Sequence, residues 1–193
     1  MLGQLPRALE INGAEYEINT DYRNILQIFA AFNDEDLTPQ EKVYICMRRL
    51  FADLSKLPRE DFEEGYTEAL RFIECNDYGK KDKPSPKVVN WEKDEQLIFP
   101  AINKVAGTEV RAVPYMHWWT FLGYFQAIDR EDIWGFILTI RQKKAQHKPL
   151  AKHEKEFYNA NRALCDVDTP QERPTAEDAL ADIFQSLLKG GDG

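Results

Sequence analysis

Apolar positions along this chain recur mostly at three- and four-residue spacing, the period of helices that bury one face. Between about Asp21 and Phe32 the stripe is Tyr22, Ile25, Leu26 and Phe29. After Thr38-Pro39-Gln40-Glu41 it is Val43, Met47, Leu50, Phe51 and Leu54, and Pro58 marks the end of that helix. Thr38 is suited to cap it, Pro39 to open its first turn and Glu41 to bond back to the cap. Arg59–Cys75 repeats the pattern with Phe62, Tyr66, Leu70 and Ile73, leaving Glu63, Glu64 and Glu68 to solvent. Further helices are predicted over Asp94–Gly107, Tyr115–Ile128, Ile133–Lys144 and about Ala151–Leu164.

Individual residues qualify these helices. In Asp94–Gly107, Leu97, Ile98, Ala101 and Val105 point inward and Gly107 is a natural C-cap. Pro100 has no N–H to give a helix interior, so this helix either starts near Phe99 or kinks there. Tyr115–Ile128 is nearly apolar all round, which predicts a helix surrounded by others. Ile133–Lys144 is amphipathic, with Ile133, Trp134, Ile137, Leu138 and Ile140 facing in. Together, Tyr115–Phe136 holds 8 of the chain's 23 aromatic residues, so it belongs to the core.

Leu9–Ile18 departs from the helical period. Alternating positions flank Asn12-Gly13, the pair that best supplies the two positive-φ positions of a type I′ turn, so a short β-hairpin is expected. Two strands are marginal in water, which requires the hairpin to lie on helices. The fold class is therefore mainly α, a single helical domain of seven or eight helices with an N-terminal hairpin. That domain is expected to span residues 1–164. Asn76–Asn90 carries two prolines, a glycine and four lysines without apolar period, so the loop 76–93 connects two helical halves. Residues 165–174 read as a proline-containing tether. Residues 175–189 form a C-terminal amphipathic helix with Ala176, Ala179, Leu180, Ile183, Phe184, Leu187 and Leu188 on one stripe, started by Thr175 and ended by Gly190-Gly191.

Composition narrows the class. With 193 residues, 43% hydrophobic and 12% aromatic, the chain can build a real core. A net charge of −8 argues against a dedicated nucleic-acid binder. Cys46 and Cys75 fall in apolar helical patterns and read as small buried hydrophobes, and Cys165 lies far from both, which fits reduced thiols in a cytosol. The N-terminus shows no signal pattern, and no apolar run approaches the roughly 18 residues of a membrane span, so a cytoplasmic protein is expected.

Catalytic chemistry finds little to stand on. His117, His147 and His153 have no metal-ligand spacing with one another or with a cysteine. The three serines include no nucleophile elbow, and there is no phosphate-binding glycine loop. Asp129, Glu131 and Asp132 sit between two helices, interrupted by Arg130, where capping is their expected role. Neither an enzyme nor a metal nor a cofactor is expected.

Charge is distributed unevenly. Arg141–Lys155 carries six Lys/Arg against one Glu, whereas Asp166–Gly193 carries seven acidic residues against two basic ones. The acidic tail could pair with the basic face, or that face could simply be solvated. Nucleic-acid contact is the least favoured reading, because no stacking aromatics are interleaved among the lysines. The C-terminal helix, whose apolar stripe must be covered, docks either on its own core or in a partner's groove. Candidate partner-binding residues are accordingly Leu180, Ile183, Phe184 and Leu187 on that stripe and Arg141, Lys144 and Lys148 in the basic segment.

Three runs, DEQLIFPAINKVAGTEVR, YMHWWTFLGYFQAI and RQKKAQHKPLAKHEKEFYNANR, resemble the bacteriophage "gene product fifteen" family. The most specific parts are Asn103-Lys104-Val105-Ala106-Gly107 and His117-Trp118-Trp119-Thr120-Phe121, and the resemblance extends to about Leu164. It implies a small protein encoded among the tail genes of long-tailed phages and prophages of Gram-positive bacteria. It further implies a tail-assembly chaperone in the host cytoplasm that binds the tape-measure protein or other tail proteins, alone or as a homo-oligomer, and is absent from the mature virion. The alternative is a structural virion component, such as a connector or tail-completion protein. The family carries no catalytic or metal motif, so no site residue transfers.

Overall fold

The computed structural model describes residues 3–75 and 88–167. The tail stripe and its candidates Leu180, Ile183, Phe184 and Leu187 lie outside these residues, as does most of the tether. The described chain forms two compact units: residues 3–75 with Tyr115–Trp119, and residues 88–114 with 120–167.

In the first unit, Asn12 and Gly13 take φ of 49° and 82°. This is the two-residue turn expected of them, and it sets the register Ile11↔Ala14 and Leu9↔Tyr16 between strands β1 (Ala8–Ile11) and β2 (Ala14–Glu17). They form the only sheet among the described residues. Helix α1 (Tyr22–Asn33) is capped by Asp21, whose carboxylate accepts the Arg23 N–H at 2.9 Å. Helix α2 (Pro39–Leu50) begins with the full capping box: Thr38 Oγ1 accepts from Glu41 N–H at 3.3 Å, and the Glu41 carboxylate accepts from Thr38 N–H at 2.8 Å.

Helix α2 stops at Leu50, well before the end expected at Pro58 and short of Leu54, the last position of its predicted stripe. Phe51 turns extended and bridges to Ile18, and Ala52 N–H donates to Glu17 O at 3.0 Å, so pairing with the hairpin strand diverts the chain. The carbonyls left at the end of α2 find partners nearby. Asn19 N–H reaches Leu50 O at 2.7 Å, and the side chains of Asn19 and Asn24 both donate to Arg49 O at 2.9 Å. At the end of α1, buried Lys42 donates to Phe32 O at 3.2 Å.

Helix α3 (Phe62–Ile73) packs on β1 and α2. Glu63 and Glu64 are exposed and Glu68 is half-buried. The helix ends two residues earlier than predicted. Cys75 leaves it in the left-handed region (φ 58°), half-buried, whereas Cys46 is fully buried as expected. Ile11, Ile25, Ile28, Val43, Cys46, Met47, Leu50, Tyr66 and Ala69 form the core of this unit.

The second unit contains α4 (Glu95–Ala106), α6 (Ile133–Ala145), α7 (Lys152–Ala160) and α8 (Arg162–Cys165). It also takes all but the first two residues of α5 (Trp118–Gln126). Eight α-helices are thus present among the described residues, and the fold is mainly α with an N-terminal hairpin. Helix α4 begins at Glu95 and continues through Pro100. Pro100 and Gln96 are both exposed, and the proline removes the N–H that would otherwise donate to the Gln96 carbonyl. Gly107 closes the helix at φ 69°, donating to Asn103 O at 2.8 Å.

Four expectations change here. The first of the two aromatic helices starts three residues later than expected, because Tyr115–His117 is non-helical and only Trp118 onward is helical. Nor is α5 enclosed all round: Phe121 is buried, Leu122, Tyr124 and Phe125 are half-buried, and Gly123 and Gln126 are exposed. Ile133, expected inside, is 55% exposed at the first position of α6, while Trp134, Ile137 and Ile140 are buried. The predicted Ala151–Leu164 helix breaks at Asn161, whose side chain bonds back to Phe157 O at 3.0 Å. Aromatic packing still forms the heart of this unit. Trp91 lies 4.9 Å from Phe125 and 6.0 Å from Phe121, and Phe99 lies 5.9 Å from Phe121, ring centroid to centroid.

Candidate partner-binding surface

The last two turns of α6 carry Arg141, Lys143 and Lys144, and each is committed within the second unit. Arg141 continues the buried phase of Trp134 and Ile137, so its guanidinium enters the interior with 1% of the side chain exposed. There it pairs bidentately with Asp94, Nη1 to Oδ2 at 2.6 Å and Nη2 to Oδ1 at 2.8 Å. Its remaining N–H groups donate to the carbonyls of Val88 at 3.0 Å and of Leu164 at 3.2 and 2.5 Å. All five guanidinium donors are thereby used. Asp94 also accepts the Asn90 N–H at 2.9 Å, so this ion pair ties together the entry to α4, the body of α6 and the end of α8.

Lys143 donates to both oxygens of the buried Glu154 carboxylate, at 2.5 and 2.7 Å. Glu154 also accepts the Ala151 N–H at 2.7 Å, which starts α7. The Lys143 bond, with the Ala151 N–H behind it, holds the Glu154 carboxyl below the usual range. Lys144 bonds Asp166 and, at 2.7 Å, the Tyr158 hydroxyl, with its ammonium 4.0 Å from the Tyr158 ring centroid. Burial alone would lower the Lys144 ammonium, but its bonds to Asp166 and Tyr158 outweigh that and raise it. The same Lys144 bond lowers Asp166.

Helix α6 then ends in a Schellman turn. His147 N–H donates to Lys144 O at 3.0 Å and Lys148 N–H to Lys143 O at 2.8 Å, with His147 itself at φ 54°. His147, Lys148, Lys152 and Lys155 are exposed.

The basic segment is therefore split by depth. Arg141 was expected on a partner face and is instead buried, because its phase and its five internal bonds place it there. Lys144 is half-buried and held by Asp166 and Tyr158, and of the three basic candidates only Lys148 is exposed. Asp132 accepts the Trp134 N–H at 3.2 Å and pairs with Lys104, which is the capping role expected of that acidic cluster. Among the described residues, no group of three or more His, Cys, Asp or Glu is placed to hold a metal ion.

One arrangement in the first unit escaped the sequence reading. Trp118 Nε1 donates to Ile73 O and Trp119 Nε1 to Phe72 O, each at 2.9 Å, so two adjacent indoles satisfy carbonyls at the end of α3. The Trp-Trp pair was visible in the sequence, but its target 45 residues away was not.

The family model of the bacteriophage Gp15 protein matches residues 1–166. The chain belongs to that family. The Gp15 match ends at Asp166, the partner of Lys144, and so includes the described residues of both compact units except Val167. Membership makes this a bacteriophage protein and points to a structural or tail-region role. No curated protein and no solved structure matches the chain. No helix among the described residues is long and apolar enough to cross a membrane.

Proposed function

We propose that this Gp15-family protein is a tail-assembly chaperone of its phage. It binds and shields apolar helix surface on the tape-measure protein in the host cytoplasm, without catalysis, and leaves before the virion is complete. The observation that carries the reading is the family match over residues 1–166, with its structural or tail-region role. The side-chain geometry supports a narrower surface than the basic segment as a whole. Arg141, Lys143 and Lys144 serve the fold, which leaves exposed Lys148, Lys152 and Lys155, together with the apolar stripe Leu180, Ile183, Phe184 and Leu187, for the partner.

Co-expression of the full chain with fragments spanning the tape-measure protein tests this. A fragment that is insoluble alone should become soluble and co-purify. If no fragment is bound or solubilised, the chaperone reading fails. Mass spectrometry of purified virions addresses the alternative, since recovery of this chain in stoichiometric amount would make it a connector or tail-completion component instead.

A further inference from the structure

His117 lies where three parts of the first unit meet. Its ring is buried, edge-on to Phe72 of α3 at 5.8 Å between centroids. Nε2 is 2.9 Å from the Pro6 carbonyl, which can only accept, so Nε2 carries the proton. Nδ1 is 3.0 Å from the backbone N–H of Trp119, which can only donate, so Nδ1 is bare. The two contacts fix the neutral Nε2–H tautomer and make His117 the N-cap of α5. Its backbone bridges to Asp21, flanked by Tyr22 N–H to Met116 O at 3.0 Å and Trp118 N–H to Thr20 O at 2.7 Å.

We infer that His117 is an acid-sensitive latch, whose second proton releases the segment Tyr115–Trp119 and the N-terminal lead at Pro6 from the rest of the first unit. A proton on Nδ1 would face the Trp119 N–H, donor against donor, and would remove the cap of α5. It would also put a cation into a buried pocket beside another one. Arg7, on the N-terminal lead, lies over the Tyr115 ring at 5.9 Å and opposes a charge on His117. Asp21, across the bridge, already accepts from Arg23 and from Met116 N–H, and Tyr115 OH is paired with Thr20 Oγ1 at 2.6 Å. Helix α3 contributes the apolar Phe72 ring. Burial accordingly holds the imidazole below its ordinary range, with Arg7 adding to the effect against the Pro6 bond.

The test is backbone hydrogen exchange on the full chain, read by mass spectrometry at about pH 7.5 and about pH 5.5 and corrected for intrinsic rates. Peptides over Tyr115–Trp119 and the N-terminal lead should lose protection severalfold at the lower pH while α2 keeps its own. His117→Asn retains a side-chain acceptor for Trp119 N–H and cannot titrate, so its segment should exchange equally at both values. Unchanged wild-type protection on acidification overturns the latch, and so does an equal pH-dependent loss in His117→Asn. Should that variant not fold, ring-proton NMR of the wild type decides. Titration of His117 below the ordinary value of about 6.5 supports the latch, and titration at or above it overturns it.

Discussion

The indole N–H of Trp119 donates to the carbonyl of Phe72 at 2.9 Å while the two rings stack with centroids 5.8 Å apart. Trp118 does the same for Ile73 O from a fully buried position. Consecutive residues thus close the end of α3, where Phe72 O also accepts the Cys75 N–H at 3.0 Å. Trp119→Phe keeps an aromatic ring to stack on Phe72 but removes the donor, and should cost about 1 kcal/mol in urea unfolding. Trp118→Phe loses a donor and core volume together and should cost more, about 2–3 kcal/mol. Equal and negligible losses would mean the indole nitrogens are incidental to stability.

The Asp94–Arg141 pair is closed to solvent, and the cost of breaking it depends on which partner is removed. Arg141→Met strands the Asp94 carboxylate and the carbonyls of Val88 and Leu164, so a loss of about 3–5 kcal/mol is expected. Asp94→Leu combined with Arg141→Met removes both charges and should recover part of that loss. The recovery stays incomplete, since the two carbonyls and the Asn90 N–H remain without partners. A double variant no more stable than Arg141→Met alone would rule out stranded charge as the main cost.

What the sequence made legible was local. Asn12-Gly13, Thr38-Pro39-Gln40-Glu41 and Gly107 each carry their instruction within a few residues, and each does what its chemistry predicts. Errors came where a distant segment decides the outcome. The end of α2 is set by Ile18 and Glu17, and the non-helical form of Tyr115–His117 by Thr20–Tyr22 on the other side of the chain. Such pairings leave no periodic trace at the residues they redirect. Arg141 is a different case, because it falls four residues after Ile137 and seven after Trp134, so its phase already pointed inward. Charge type outweighed phase in assigning it to the surface, and Asp94 could not be named as its partner from spacing alone.

Two helical glycines should respond in opposite directions to alanine. A Cβ on Gly135 would sit 2.1 Å from the backbone oxygen of Asp129, which cannot swing aside, so Gly135→Ala should destabilise by about 1–3 kcal/mol or more. Gly123 lies within α5 with nothing within 4 Å of its added Cβ, so Gly123→Ala should stabilise by about 0.5–1 kcal/mol. Thermal unfolding of the two variants beside the parent decides the matter, and a shared sign would contradict the contact geometry.

Acid should weaken the second unit through its paired carboxylates. Glu154 is held down first by the Lys143 bond and then by the Ala151 N–H, Asp166 first by Lys144, and Glu109 to about 2 by Arg111. A carboxyl whose folded pKa lies below its unfolded value binds more protons when unfolded, so stability rises with pH across that interval. These contributions are complete above the ordinary carboxyl range of about 4 and are lost as pH falls through the folded values. Urea midpoints should therefore decline steadily from about pH 5 to about pH 2, and Glu154→Gln should flatten part of that slope while lowering the plateau above it. Exposed Glu109 contributes through a surface pair with Arg111, so its share alone should shrink in about 0.5 M salt. A Glu154→Gln variant with the parent's full acid slope would show that Lys143 does not hold the start of α7 through that carboxylate.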